Sequence, residues 1–259
     1  MYLGANAMDR PEICKSLLMP GQRILDVGGW QGDIFQYGST PNAVLDIFPP
    51  KNNKVVEEWI TGDACRKETW KGIESKSFDF SICSQVLEDS YDPFVIMNEL
   101  SRVSKEGYIE TPRVWMEGTR FQVYKNRNIR GYAHHIWMVD VFPCEFLDSQ
   151  FVITPISKRP GEMFPRNKSG KVLCFYPKMI FSHHEILHKD FINPFKAFYL
   201  RKKIGHRLDT VSLHWKGEIP YALIWWGSSH LESLKWIKNY YDNFDYTNIP
   251  DYYLMDESM

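Results

Sequence analysis

The sequence carries almost no net charge, no long apolar run and few cysteines, and each absence removes a class of function. Lysine and arginine number 31 against 32 acidic residues, a formal charge of −1. No global field therefore draws the protein to nucleic acid or to an anionic membrane. No apolar run reaches the length that crosses a bilayer, and the N-terminal stretch lacks a basic region followed by a long apolar core. Neither a spanning helix nor a secretory leader is expected. The five cysteines, Cys14, Cys65, Cys83, Cys144 and Cys174, are odd in number, widely spaced and without a CxxC pair. That pattern fits free thiols in a reducing compartment, and the expected location is cytoplasmic. Internal repeats and low-complexity blocks are absent too.

What is present reads as one ordinary globular α/β domain with a C-terminal elaboration. At 259 residues the chain is long for an average domain and short for two. Hydrophobic residues make up 44% and charged residues 24%, enough apolar side chain for a substantial core. Aromatics reach 15%, with Trp and Tyr concentrated after residue 110, which suits either a flat polar ligand or aromatic core packing.

The chain is organised around Gln22 to Phe35, QRILDVGGWQGDIF. The β-prone run Ile24 to Val27 includes Asp26, three glycines follow at Gly28, Gly29 and Gly32, and a helix is expected from about Asp33. Glycine at a strand-to-helix junction adopts torsions closed to other residues and lets a ligand approach the main chain beside the helix N-terminus. Asn42 to Phe48 reads as a second buried strand ending in Asp46, where a carboxylate can accept both hydroxyl hydrogens of a ribose. A third strand is expected over Glu58 to Gly62, ending at Asp63, with a helix from Cys65 to Ile73. A fourth covers Phe78 to Ser84. Asp92 and Pro93 then open a helix through Ser104 with Val95, Ile96, Leu100 and Val103 as its apolar stripe. Gly107 is expected to break it, and Tyr108 to Thr111 to form a fifth strand closed by Pro112. Strands alternating with helices imply a parallel, doubly wound sheet whose ligand lies at the carboxyl ends of the strands.

On ILDVGGWQG, VLDIF, TGDA, SFDFSICSQVLEDSYDP and GYIETP, residues 20 to 112 resemble the class I S-adenosylmethionine-dependent methyltransferases. The resemblance implies a Rossmann-like sheet, mostly parallel with an antiparallel C-terminal edge strand, and a substrate-binding insertion. It implies a single methyltransferase domain over 1–259, with a cofactor-binding core at about 20–112 and a substrate region at about 113–259. It implies S-adenosyl-L-methionine as cofactor. Asp26, Gly28 and Gly32 would hold its amino-acid portion, Asp46 the ribose with Ile47 beside the adenine, Asp63 the adenine amino group, and Ser84 and Gln85 would run beneath the methionine part, with Gly29 and Ala64 also counted among the cofactor-binding residues. Two residues depart from the family pattern. Trp30 stands where the usual turn has its middle glycine, and Leu87-Glu88-Asp89 replaces the frequent LEH. The turn also departs from the GxGxxG spacing that seats a pyrophosphate, which argues against NAD. Purely structural roles compete for Gly29, Trp30 and Asp26, the last as an acceptor for the turn amides.

After Arg113 the resemblance fades. Arg113, Arg120, Lys125, Arg127 and Arg130 stand against Glu117 alone, interleaved with Phe121, Tyr124, Tyr132 and Trp137. Such a segment suits a phosphate, a nucleotide-sugar or single-stranded nucleic acid, or else a solvated loop with a few core anchors. His134 and His135 are the candidates for a base that removes an acceptor proton, because imidazole titrates near neutrality. The competing view has one packed or capping and the other solvated. His184 to His188 matches HExxH, yet Ser182 and Glu185 also form a helix capping box, and no extended metal pattern follows, so no metal is expected. Phe151 to Ile156 and Val172 to Tyr176 read as strands around a loop, Asn193 to Arg207 as a surface helix, and Leu231 to Tyr240 as a helix. Tyr221 to Trp226 reads as the antiparallel strand closing the sheet, and the segment after Tyr241 as a free acidic end. The function expected is methyl transfer to a small-molecule or glycan-type acceptor at oxygen or nitrogen. An RNA or protein methyltransferase, or a non-catalytic module of the same fold, are the alternatives.

Overall fold

The computed structural model describes residues 14–29, 40–50, 56–112, 135, 137–139, 141–144, 149–153, 156–157, 210–219, 221 and 253–255. The chain divides into two compact units. One comprises Met1–Thr111, Ser212–Pro220 and Asp251–Met259, and the other Pro112–Val211 and Tyr221–Pro250.

The first unit is built on a seven-stranded sheet. Its strands are β1 (Ile24–Val27), β2 (Ala43–Asp46), β3 (Glu58–Thr61), β4 (Phe78–Ser84), β5 (Ser104–Pro112), β10 (Thr210–Lys216) and β11 (Tyr253–Met255), in the order β11-β10-β5-β4-β1-β2-β3. The pairs β1·β2, β1·β4, β2·β3 and β4·β5 are all parallel. Strands β1 and β2 are buried along their whole length, as expected of parallel strands covered on both faces. Strand β3, at the edge, has no fully buried residue.

Strand β10 runs against β5. Ser212 bonds Tyr108, His214 reaches Glu106, and Gly217 N–H donates to Lys105 O, so rising numbers on one strand meet falling numbers on the other. Strand β11 pairs parallel with β10. The last two strands therefore oppose the other five, and the architecture is the Rossmann-like sheet of class I methyltransferases, mostly parallel with an antiparallel C-terminal edge. The antiparallel strand next to β5 is Thr210–Lys216, a segment to which the sequence reading assigns no element. Of Tyr221 to Trp226, only Tyr221 lies among the described residues. Tyr253–Met255 is likewise a strand, not part of a free acidic end.

Three other expectations change. Cys65 to Ile73 carries only a 3₁₀ turn, Lys67–Trp70, because Asp63 and Ala64 bind its groups locally and leave no room for a regular helix. Gly107 does not break a helix. It sits inside β5 opposite Ser81, where a Cβ would meet Ser81 O at 2.5 Å and Trp215 Cζ2 at 2.8 Å. Glycine is there to let the strand and an indole close up. The helix α1 (Pro93–Val103) ends at Val103, and the chain passes directly into β5. Asp92 caps α1 by accepting from Val95 N at 3.3 Å, and Pro93 occupies its first turn, as the sequence predicts. Ile96, Met97, Leu100 and Val103 are its buried stripe.

Residues 14–17 are helical. Cys14 joins Ile24, Phe80, Ile82 and Tyr108 in one buried cluster, with Leu17 and Leu18 against it. The described part of the second unit holds two antiparallel pairs, β6 (Trp137–Met138) with β9 (Ile156–Ser157), and β7 (Val141–Cys144) with β8 (Ser149–Ile153). The helix expected from Asp33, the strand at 172–176, the helices at 193–207 and 231–240, the HExxH stretch and nearly all of the basic segment lie outside the described residues. Among the described residues no helix is long and apolar enough to cross a membrane, and no cluster of metal-ligating side chains occurs.

Candidate functional site

The carboxyl edge of the parallel strands is where the short strands β1 to β4 each end in polar or glycine residues. At the end of β1 the chain turns through Gly28, whose φ of +75° places it in the left-handed region. A side chain there would be strained and its Cβ would collide with Val86 Cγ2. Gly28 N–H donates to Leu45 O at 2.8 Å, which ties the turn to the last residues of β2. Gly29 follows, and Gly32 and Trp30 lie outside the described residues.

Asp26 is almost completely buried, pairing in register with Val44 and Ile82. Burial raises its pKa to about 7, and the neighbouring carboxyl of Asp46 pushes in the same direction. Asp46, at the end of β2, is also buried and raised by desolvation, an effect partly offset by the amides of Phe48 and Ile47. Phe48 N donates to Asp46 Oδ1 at 2.9 Å. Two carboxyls on adjacent strands thus both carry a burial cost when ionised. A hydroxyl pair or a cation arriving beside them would repay part of the burial cost. Ile47 is 60% exposed and Phe48 49%, an unusual display of large apolar side chains directly after a buried strand.

The turn after β3 is tied down from within. Gly62 N–H donates to Asp46 O at 2.8 Å, Cys65 N to Asp63 Oδ1 at 2.9 Å, Thr69 Oγ1 to Asp63 O at 2.8 Å, and the buried Trp70 Nε1 to Ala64 O at 2.9 Å. Asp63 thus follows the end of β3 that pairs with Asp46, and its partly exposed carboxylate lies 3.6 Å from Arg66 Nε.

At the end of β4 the backbone of Gln85 is left-handed, φ +57°, at a residue type for which that conformation costs about 1–2 kcal/mol. Glu110 on β5 holds it there. Gln85 N donates to Glu110 O at 2.8 Å and Gln85 Nε2 to Glu110 Oε1 at 3.1 Å, with Ser84 Oγ at 3.5 Å from the same oxygen. Glu110 is 1% exposed. Its Oε2 lies 2.8 Å from Tyr108 Oη and 3.4 Å from Ser212 Oγ, and those two hydroxyls are 2.9 Å apart. Two protons serve these three contacts, so the phenol donates to the carboxylate on the shortest edge. The Tyr108 phenol is held well above its usual pKa, first by burial and then by the Glu110 charge. Cys14 is raised by burial and by the charges of Asp26 and Glu110, so both acids face the segment that covers this side of the sheet.

Of the residues singled out from sequence, Asp26, Gly28, Gly29, Asp46, Ile47, Asp63, Ala64, Ser84 and Gln85 lie at this one edge. His135 is buried and belongs to the second unit, and His134 lies outside the described residues. Glu110 was missed. Its only sequence signal is a carboxylate inside the strand-like GYIETP, flanked by residues that a buried strand would carry.

A mostly parallel sheet in this strand order, with an acid inside its first strand, a glycine turn after that strand, an acid ending the second and another just after the third, has the class I methyltransferase fold. No family model matches the chain, and no curated protein does. Among solved structures, it is similar to an S-adenosylmethionine-dependent methyltransferase from Mesorhizobium loti, at 15% identity over 44% of this chain and 58% of that one, TM-score 0.35. It is similar to one from Archaeoglobus fulgidus at 22% identity, 40% and 53% coverage and TM-score 0.28. It is also similar to the cyclase SpnF at 14% identity, 46% and 49% coverage and TM-score 0.34. The chain thus spans about half the length of these structures, and strand order and direction, rather than such partial overlaps, fix the fold.

Proposed function

We propose that the protein is an S-adenosylmethionine-dependent methyltransferase acting on a small-molecule or glycan-type acceptor. The observation that carries this reading is the convergence, on one strand edge, of a left-handed glycine turn, two buried acids and an exposed apolar pair. These residues fit the group. The left-handed Gly28, where a Cβ would strike Val86, keeps the turn free of a side chain, and the burial cost of Asp26 and Asp46 falls when hydroxyls or a cation reach them. Asp26 and the turn of Gly28, Gly29 and Gly32 would take the amino-acid portion, Asp46 the ribose hydroxyls, Ile47 one adenine face, Asp63 with Ala64 the adenine edge, and Ser84 and Gln85 the methionine chain. The sulfonium supplies an electrophilic methyl and a good leaving group, so the protein's work is chiefly orientation.

Methylation at an oxygen needs its proton removed during attack, whereas an amine needs only a neutral lone pair. His134 or His135 is the candidate base for the former. The single-domain organisation expected from sequence is carried forward on the same footing, with the substrate region in 113–259. The test is transfer of a labelled methyl group to a panel of sugars, sugar nucleotides and small metabolites, with RNA and protein acceptors alongside. Transfer to a small acceptor that is lost in His134→Ala or His135→Ala supports the reading in full. Transfer confined to RNA or protein replaces the acceptor class, and tight cofactor binding with no transfer to any acceptor replaces catalysis with binding.

A further inference from the structure

We propose that Glu110 is a positioning residue that fixes which end of the Gln85 amide faces the ligand, and so biases the site toward a positively charged methyl donor over its neutral thioether product. The inference rests on the proposed methyltransferase reading and deepens it.

A carboxylate only accepts hydrogen bonds, so the amide nitrogen of Gln85 must face Glu110, 3.1 Å away. The amide oxygen is the other arm of the same planar group and is turned away from the carboxylate. The main chain of Gln85 cannot swing to undo this, because its N–H is held by Glu110 O at 2.8 Å in a left-handed conformation. Glu110 in turn cannot swing, since Tyr108 and Ser212 occupy its second oxygen. The half-buried Gln85 thus presents a carbonyl dipole with its negative end away from β5, at the strand end where the methionine chain is placed. A sulfonium is stabilised by such a dipole, and a thioether is indifferent to it.

Replacing Glu110 by Gln lifts the constraint. The new amide, unlike the carboxylate, can turn its nitrogen toward Gln85, because the Tyr108 and Ser212 hydroxyls accept as well as donate, and the Gln85 amide is then no longer held with its oxygen toward the ligand. Calorimetric titration of the full chain with S-adenosylmethionine and, separately, S-adenosylhomocysteine reads the effect as a ratio of two affinities. In Glu110→Gln the ratio should fall by about tenfold or more in favour of the thioether, with thioether affinity within about threefold of wild type. A merely structural role would weaken both ligands together.

Gln85→Gly provides the second variant, because glycine accepts φ +57° without strain and removes the amide. It should shift the ratio in the same direction, and it decides the matter alone if Glu110→Gln does not fold. Equal loss of both ligands, or an unchanged ratio in a folded variant, overturns the proposal while leaving the methyltransferase reading intact. Failure of the wild type to bind either ligand overturns both.

Discussion

Asp26 concentrates the electrostatics of the site in one side chain. Its pKa is raised from the ordinary carboxylate range to about 7 by burial and by Asp46, so between those values the folded chain holds a proton that the unfolded chain has lost. The Asp26 contribution to the stability of the ligand-free protein is therefore fully present below about pH 4 and is lost as pH rises to about 7, about 4 kcal/mol in all. Denaturation across that range should show the slope in wild type and a flattened one in Asp26→Asn. A cation seated against Asp26 expels the same proton. Calorimetry near pH 6, in buffers of differing ionisation enthalpy, should report release of up to about one proton on binding S-adenosylmethionine and none in Asp26→Asn. Asp26, Asp46 and Asp63 were legible because each lies in or just after a short β-prone run that glycine or proline closes: Gly28 after Asp26, Pro49 after Asp46 and Gly62 before Asp63. Glu110 was not. A buried acid inside a strand reads as an ordinary polar interruption until the Tyr108 and Ser212 hydroxyls, the latter 102 residues away, are seen to meet it.

Elements joined across long sequence separations explain the remaining misreadings. Strand β10 carries Val211, Leu213 and Trp215 in strict alternation, yet what gives it a place in the sheet is contact with β5. Gly107 is the residue on which that contact turns. Gly107→Ala would press a methyl group against Ser81 O and the Trp215 ring, and should cost about 1–3 kcal/mol by chemical denaturation. Had Gly107 been a helix breaker, as the sequence suggested, alanine there would be neutral or stabilising. A second tie runs through Lys76, whose ammonium donates to Ser101 O at 2.8 Å, Ser104 O at 3.0 Å and Gly217 O at 3.3 Å. It satisfies the last carbonyls of α1 and the turn after β10 together. Lys76→Met keeps the aliphatic stem and removes the charge, and should lower stability by about 1 kcal/mol. Strands β1 to β5 and α1 were readable because their signals are local: apolar runs, a cap at Asp92, a proline at the first turn. Cys65 to Ile73 misled because its helix propensity was outbid by hydrogen bonds from Thr69 and Trp70 back to Asp63 and Ala64.

At the level of the molecule, five parallel strands deliver their carboxyl ends to one edge, and the reversed pair β10 and β11 completes the sheet. The direction of the parallel strands makes a binding site out of residues far apart in sequence, since Gly28, Asp46, Asp63 and Gln85 share an edge only because β1 to β4 point the same way. That much follows from alternation of strands and helices along the chain. What the second unit contributes does not, because its strands pair antiparallel through registers that composition cannot set. The most direct test of the central claim is equilibrium binding of S-adenosylmethionine to the wild-type chain and to Asp46→Ala, with folding of each checked by circular dichroism. Wild type should bind, and the variant should bind at least about tenfold more weakly through loss of the charge-assisted bonds to the ribose. Equal affinity in the two proteins, or no binding by the folded wild type, would contradict it.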